Sequence, residues 1–320
     1  MVLCGGPDRE HEVSLASAAT VYRNLELAGH TVTRHVIQPG DRPWRNATHD
    51  VVFPMLHGPW GEGGALQAEL EADGICFVGS GARAAAIAMD KAQSKQVAEA
   101  AGLHVAPQIL LQLEKDANVD AMLESHGEAL DAMCDVPELS PQKSDGPAMR
   151  WVVKPLADGS SFGVRLCADR RQLRAAVEQI MPEPCMIEPC LSGREMTVGI
   201  AGERVLPILC IEPESQFYDY HAKYEAESTR YRFDHGLSDA HSQRLADHSM
   251  TVFDAIGCRD LARVDFIVDA RGIGWFLEIN TIPGFTDHSL LPKAAMQAGY
   301  DLPGLCDALV QLAQQRHHGR

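Results

Sequence analysis

No C-x-x-C pair occurs in this chain, and its nine cysteines stand singly and in odd number. That spacing argues against both a zinc site and a disulfide framework, and leaves reduced, buried thiols as the expectation. No stretch stays apolar for the roughly 20 residues that a membrane-spanning helix needs. The N-terminus, Met1-Val2-Leu3-Cys4-Gly5-Gly6, carries no basic leader region. Positive charge is scarce, with 28 Lys and Arg against 44 Asp and Glu and a formal net charge of −16. Nucleic acid and anionic membrane both reward basic surfaces, so neither is an expected partner. The phosphate-loop pattern G-x-x-x-x-G-K-[ST] is missing as well, as are internal repeats and low-complexity tracts. What remains reads as a soluble, cytoplasmic protein of 320 residues, long enough for two or three modest domains.

The first ~80 residues alternate strand and helix patterns, as a parallel α/β unit does. A short apolar strand runs into Gly5-Gly6. Ser14 is placed to cap a helix whose apolar side is Leu15, Ala18, Ala19, Tyr22 and Leu25, with Gly29 at its end. Val51 to Leu56 reads as a buried strand ending at His57-Gly58, followed by a helix over 65–73 and a strand over 75–78. From Ala82 the pattern is helical to Ala101, where Gly102 stops it. Residues 114–150 are polar and read as a surface insertion. Strands are expected over 151–154, 164–167 and 185–188, then a hairpin turning at Gly202. Residues 212–236 have little apolar periodicity and read as a long functional loop, and a helix follows over 238–256.

The most informative segment comes later. Ala262-Arg263-Val264-Asp265-Phe266-Ile267-Val268 and Gly274-Trp275-Phe276-Leu277-Glu278-Ile279-Asn280 flank a turn at Arg271-Gly272. A hairpin centred there sets Asp265 across from Glu278 and Arg263 across from Asn280, all on one face. Facing carboxylates repel unless a positive charge sits between them. Oxygen ligands from Asp, Glu and Asn suit a hard cation such as Mg2+. An ordinary solvated face would explain any one of these residues, but explains the four together poorly.

Other motifs are weaker alone. Val153-Lys154-Pro155 leads into Asp158-Gly159-Ser160-Ser161-Phe162-Gly163, where backbone amides, hydroxyls and one lysine can cover phosphates, although a plain hairpin turn has the same composition. The connector from Glu188 through Leu191 to Glu195 can offer backbone groups to a purine and a carboxylate to ribose; an ordinary inter-strand loop explains it nearly as well. Glu10-His11-Glu12-Val13-Ser14 lies beyond the carboxyl end of the first strand, where α/β folds place ligands. Tyr218 to Tyr224 can close over a substrate or be plain surface. Pro283-Gly284-Phe285 puts a glycine N–H where it can meet developing negative charge, or simply turns into the last helices.

In this order the motifs resemble the D-alanine:D-alanine ligase family of the ATP-grasp superfamily, and the resemblance spans nearly the whole chain. It rests on Gly5-Gly6 with Glu10-His11-Glu12-Val13-Ser14, Leu56-His57-Gly58, Met89-Asp90-Lys91, and Val153-Lys154-Pro155 with Gly159-Ser160-Ser161. It continues through Tyr218-Asp219-Tyr220, Ala222-Lys223-Tyr224, Arg263-Val264-Asp265, Glu278-Ile279-Asn280, Pro283-Gly284 and His288-Ser289-Leu290. The implied fold class is α/β and α+β. An N-terminal parallel α/β domain (1–85) precedes a central ATP-grasp lobe (86–190) and a C-terminal lobe (191–320).

The implied reaction joins two D-alanines at the expense of ATP through an acyl phosphate, supplying peptidoglycan precursor. By the same resemblance, Lys91, Lys154 and Lys223 hold phosphates, with Ser160 and Ser161 in the covering loop. Glu188 contacts adenine and Glu195 ribose, with Leu191 also among the nucleotide-binding residues. Asp265, Glu278 and Asn280 hold two Mg2+ ions, for which Mn2+ can substitute. Glu10 takes the first substrate's ammonium and His57 lies near its carboxylate. Arg263 and the Gly284 N–H face the oxyanion, and Ser289 and Leu290 receive the second carboxylate. Glu10, Ser160 and Tyr224 form a hydrogen-bonded set that closes the loop. A homodimer is implied too. The chain departs from the pattern at Gly63, where relatives usually carry Asp, and at Pro189-Cys190. The rival readings are a ligase for D-lactate, D-serine or another amino acid, and a non-catalytic ATP-binding regulatory module.

Overall fold

A computed structural model describes residues 1–320 apart from 47, 113, 135–147, 158, 160–161, 213–228, 287 and 320. Strand Val2–Gly5 lies at the centre of a parallel three-stranded sheet, between Arg34–Ile37 and Phe53–Pro54. The expected strand over 75–78 is reduced to a single parallel bridge, Val52 to Phe77. All of Val2–Gly5 is buried because the sheet is covered on both sides. Val2 and Cys4 face helix His11–Leu27 and the C-terminal helix Leu302–His318, whereas Leu3 faces Leu66 and Leu70. The chain's last helix therefore returns to its first domain.

The largest sheet has seven strands. Its path runs Arg230–Arg232, Leu209–Glu212, Arg194–Ala201, Leu261–Val268, Gly274–Asn280 and His104–Val105, with Arg204–Val205 beside Arg194–Ala201. Met196, Val198, Ile200, Val264 and Phe266 turn one face toward helices Ala82–Met89, Lys91–Ala100 and Asp239–Ile256. The two helices over 82–100 thus pack on this large sheet, although they precede the other lobe in sequence. That other lobe is a four-stranded sheet in the order Ile109–Leu111, Cys185–Pro189, Trp151–Pro155, Arg165–Cys167. It is closed by helices Val119–Ser125, Gly127–Ala132 and Arg170–Ile180 around Trp151, Leu130, Leu173 and Val177.

The predicted hairpin has the predicted register, with Asp265 opposite Glu278 and Arg263 opposite Asn280. It also contains a bulge that alternation alone did not show. Phe266 pairs with Phe276, so Leu277 is the extra residue. The bulge lets Phe276 and Ile279, an odd number of residues apart, share the same helix-covered core, while Glu278 and Asn280 stay on the opposite face. At the turn, Asp269 Oδ1 accepts from the N–H groups of Arg271 and Ile273, both at 2.9 Å. Gly272 has φ +80°, a conformation that side chains disfavour. Among the described residues no helix is long and apolar enough to cross a membrane.

Candidate active site

The site is assembled from three directions. From the first domain, Gly5 and Gly6, with φ of +88° and +87°, turn the chain off the central strand into helix His11–Leu27. Ser14 is not that helix's cap, as its sequence context suggested. It sits one turn inside, where its Oγ accepts from Gly5 N (2.8 Å) and donates to Met55 O (2.5 Å), tying the helix to two strand ends. The position before the helix is Glu10, buried, with its side chain not used for capping. A Cβ on Gly159 would lie 2.8 Å from Glu10 Oε2, so the glycine-rich loop comes down onto this carboxylate. Arg9 stacks over Phe162 of the same loop, 5.9 Å from the ring centroid.

His57 is buried. Its Nε2 lies 3.3 Å from Ser17 Oγ, and the imidazole also bonds the Ile282 backbone. Burial drives its pKa down to about 4; the Ile282 bond opposes that and the Arg263 charge adds to it. The imidazole is therefore neutral at pH 7 and acts there as a hydrogen-bonding group, not as a cation. Ser17 Oγ also accepts from Phe285 N at 3.1 Å, which fixes the Pro283-Gly284-Phe285 turn against the first domain.

From the large sheet comes the hairpin face. Arg263 forks onto Asp265, with Nε 2.9 Å from Oδ1 and Nη2 2.7 Å from Oδ2. Thr197 Oγ1, on the neighbouring strand, donates to Asp265 Oδ1 at 2.5 Å. Lys91 Nζ lies 3.3 Å from Glu278 Oε2. Among the described residues, Arg263 thus answers Asp265 and Lys91 answers Glu278. Asn280 Oδ1 is held by Ile282 N at 2.9 Å. Glu195 is half-buried two positions before Thr197 on the same strand, and so shares its face. Among the described residues no three His, Cys, Asp or Glu gather as a metal cluster. The expected set is two carboxylates and an amide, all hard oxygen donors of the kind that Mg2+ takes.

From the four-stranded sheet come Lys154 and Glu188, on adjacent strands. Glu188 is buried between two ammonium groups, 2.6 Å from Lys154 Nζ and 2.5 Å from Lys95 Nζ. Burial by itself would raise the Glu188 carboxyl, but Lys154 and then Lys95 overcome it and hold it at about 2. Burial lowers Lys95 against the pull of Glu188, whereas for Lys154 the attraction of Glu188 prevails and raises it. The difference follows from position: Lys95 is 1% exposed and also donates to Phe276 O at 3.2 Å, while Lys154 keeps 15% of its side chain in contact with solvent. Leu191 lies half-buried in the connector between the two sheets.

At the far end, Ser289 precedes helix Leu290–Gln297, and its Oγ accepts from Thr286 N at 2.9 Å. A Cβ on Gly284 would sit 2.9 Å from that Oγ, so the turn packs closely against Ser289. The Leu290 side chain is buried against Leu209 and Ile211, which leaves its backbone N–H, at a helix start, as the group it can offer an anion. Ser160, Ser161, Lys223 and Tyr224 lie outside the described residues.

Reasoning from sequence missed Ser17, Lys95 and Thr197 in this site, and Glu62 at its border, whose buried carboxyl feels the charges of Glu10, Arg263 and Glu278. Lys95 had a signal, since it follows Lys91 by four residues and one helix face carries both. Glu62, the only acid in Gly61-Glu62-Gly63-Gly64, had one in its setting among glycines. Ser17 and Thr197 are small polar residues within regular elements and gave none.

A parallel α/β domain leading into two β-sheet lobes, with lysines from both lobes meeting carboxylates near the hairpin, defines an ATP-grasp ligase. Comparison with known proteins narrows the class. The D-ala D-ala ligase C-terminus family profile matches residues 138–311. The chain is similar to the D-alanine–D-alanine ligase of Dechloromonas aromatica, 37% identical over 316 residues, 98% of this chain and 96% of that protein. It is likewise 37% identical to the D-alanine–D-alanine ligase of Chromohalobacter salexigens, over 95% of this chain and 91% of that one. In structure it resembles the Bacillus anthracis D-alanine–D-alanine ligase, with a TM-score of 0.80 and 29% identity over 99% of this chain and 98% of that one. The complex of a Bacillus anthracis D-alanine–D-alanine ligase with ATP gives a TM-score of 0.79 at 26% identity, over 99% and 98%. The chain belongs to the D-alanine–D-alanine ligase family.

Proposed function

We propose that this enzyme joins two D-alanines with cleavage of ATP to ADP and phosphate, supplying D-alanyl-D-alanine for the cell wall. The observation that carries the reading is the hairpin face, where Arg263, Asp265, Glu278 and Asn280 stand together with Lys91 beside Glu278. In the first step a carboxylate oxygen of one D-alanine attacks the γ-phosphorus and ADP leaves. In the second, the amine of the other D-alanine attacks the acyl carbon, phosphate departs, and the amine gives up a proton. Glu10 is the acid for the first substrate's ammonium. Neutral His57, braced by Ser17 and the Ile282 backbone, lies near that substrate's carboxylate end.

Lys91 and Lys154 serve the phosphates, and Lys95, which shares Glu188 with Lys154, belongs to the same set. Lys223 joins them from the long loop. Ser160 and Ser161 cover the phosphates, while Glu188, Leu191 and Glu195 border the nucleoside. Arg263 and the Gly284 N–H meet the tetrahedral oxyanion, where preorganised donors are most effective. Ser289 and the Leu290 N–H hold the second carboxylate. Asp265, Glu278 and Asn280 would bind Mg2+, which when present neutralises charge on the transferring phosphoryl group. Tyr224 orients the acceptor with Glu10 and Ser160. We place the enzyme in the cytoplasm as a homodimer.

The acceptor is the open choice within the fold, since a D-Ala:D-Ser ligase, VanG of Enterococcus faecalis, is also similar in structure (TM-score 0.75, 26% identity). The test is ATP-dependent phosphate release with D-alanine, L-alanine, D-serine and D-lactate, with products identified by mass. D-alanyl-D-alanine formed one-to-one with phosphate is expected. Mixed products dominating over it, or ATP hydrolysis without a dipeptide, would overturn the reading.

A further inference from the structure

Glu62 ends the short helix Pro59–Glu62 beside His57-Gly58, and its side chain is 4% exposed. Its Oε1 accepts from Gly58 N at 3.0 Å. Among the described residues its Oε2, which is buried, has no hydrogen-bond partner. The helix is anchored from the end of the first strand, where Asp8 Oδ2 accepts from Trp60 N (3.0 Å) and Gly61 N (3.3 Å). Beyond it, Gly63 N donates to the Pro59 carbonyl at 3.1 Å and closes the helix that carries Glu62. The charged groups acting on the Glu62 carboxyl are Glu10, from the first domain, and Arg263 and Glu278, from the hairpin face.

We propose that Glu62 is a substrate-binding acid that works as a neutral carboxylic acid, donating its Oε2 hydroxyl to one carboxylate oxygen of the amino acid whose ammonium Glu10 holds. The proposal rests on the reading of Glu10 given above. A buried oxygen without a partner costs about 1–3 kcal/mol, so one at the border of a binding site points to a ligand atom. Burial, and next the negative charge of Glu10, push the Glu62 carboxyl well above its ordinary range; the Gly58 N–H and Arg263 pull the other way without reversing it, and Glu278 adds a smaller push upward. Two neighbouring carboxyls that cannot both ionise readily can take opposite roles, one as anion and one as acid. Here Glu10 is the anion for an ammonium, and Glu62 the donor for a carboxylate. With one carboxylate oxygen fixed by the Glu62 hydroxyl, the other is left to attack phosphorus.

The experiment is the pH dependence of kcat/KM for the first D-alanine in wild type, Glu62→Ala, Glu62→Gln and Glu10→Gln. Glu62→Ala is expected to raise KM by about tenfold, the loss of one charge-assisted hydrogen bond. Glu62→Gln, whose amide is also a neutral donor, should restore most of that loss at neutral pH. It should also flatten the decline seen in wild type as Glu62 ionises at higher pH. A Glu62→Gln variant no better than Glu62→Ala would mean that the anion is required, and overturns the proposal. An alkaline limb identical in wild type and Glu62→Gln does so too. Infrared spectra of the wild-type enzyme decide independently of how the variants fold: a protonated-carboxyl band perturbed by D-alanine is expected, and its absence overturns the proposal. A wild-type KM in Glu10→Gln would remove the donor site from this turn, and the proposal with it.

Discussion

Replacing Glu188 by Gln tests the assembly of the two lobes most directly. The side chain keeps its shape and loses one charge, and that charge is the shared counter-ion of Lys95 and Lys154, at 2.5 and 2.6 Å. Breaking a buried ion pair by removing one partner costs about 3–5 kcal/mol, because the other charge stays buried and uncompensated. A second route gives the same size. The Glu188 carboxyl sits at about 2, against 4.5 for a free glutamate, which corresponds to about 3 kcal/mol of preference for the charged form in the folded protein. Lys95 carries most of the loss, since it is 1% exposed whereas Lys154 reaches solvent. Urea unfolding should show the Glu188→Gln midpoint lowered by about 1 M or more, for an m-value of a few kcal/mol per M. Adding Lys95→Met, which removes the stranded charge, should recover part of the loss. The sign of the pH dependence is fixed as well. A carboxyl depressed by folding contributes in full above 4.5, and its contribution is lost as pH falls through about 2, so wild type and variant should converge over that interval. A variant within about 1 kcal/mol of wild type at pH 7 would refute the reasoning.

Three further outcomes are expected. His57, neutral and held near 4 against an ordinary 6.5, must charge as pH falls, so wild type should lose about 3 kcal/mol of stability between pH 6.5 and 4 that His57→Gln does not lose; equal slopes in urea unfolding would exclude this. Glu278→Gln should abolish dipeptide synthesis while leaving the circular dichroism spectrum unchanged, and normal Mg2+-dependent turnover in that variant would remove Glu278 from the metal set. Gly159→Ala places a methyl 2.8 Å from Glu10 Oε2 and should raise KM for D-alanine several-fold more than KM for ATP; steady-state kinetics with each substrate varied in turn would reveal the opposite ordering.

The parts of this protein that were legible in its sequence are those fixed by neighbours along the chain. Alternation on either side of Gly272 sufficed to pair Asp265 with Glu278 and Arg263 with Asn280, because a hairpin's register follows from its turn. It did not reveal the bulge at Leu277, since Phe276, Leu277 and Ile279 are all apolar and either register of that segment looks acceptable in isolation. Only the large sheet's helix-covered core decides which of them turns inward. Ser14 shows the same limit. A serine at the start of an apolar helical pattern resembles a cap, but the helix begins earlier, at His11, and the hydroxyl is used by Gly5 and Met55 from separate strand ends.

Charge pairing was the least legible feature, for a physical reason. A cation's partner is set by which elements pack together, and helix Lys91–Ala100 packs on the sheet of the C-terminal half. That placement brings Lys91 to Glu278 and carries Lys95 to Glu188 on the other lobe, so a single helix supplies cations to both. Lys95, from this helix, and Lys154, from the four-stranded sheet, then meet on one carboxylate. The junction between the lobes is therefore ionic where it adjoins the expected phosphate site. Ion pairs can exchange partners where packed apolar groups would have to separate, and an anionic phosphate reaching this junction competes for lysines already gathered there instead of assembling them from solvent.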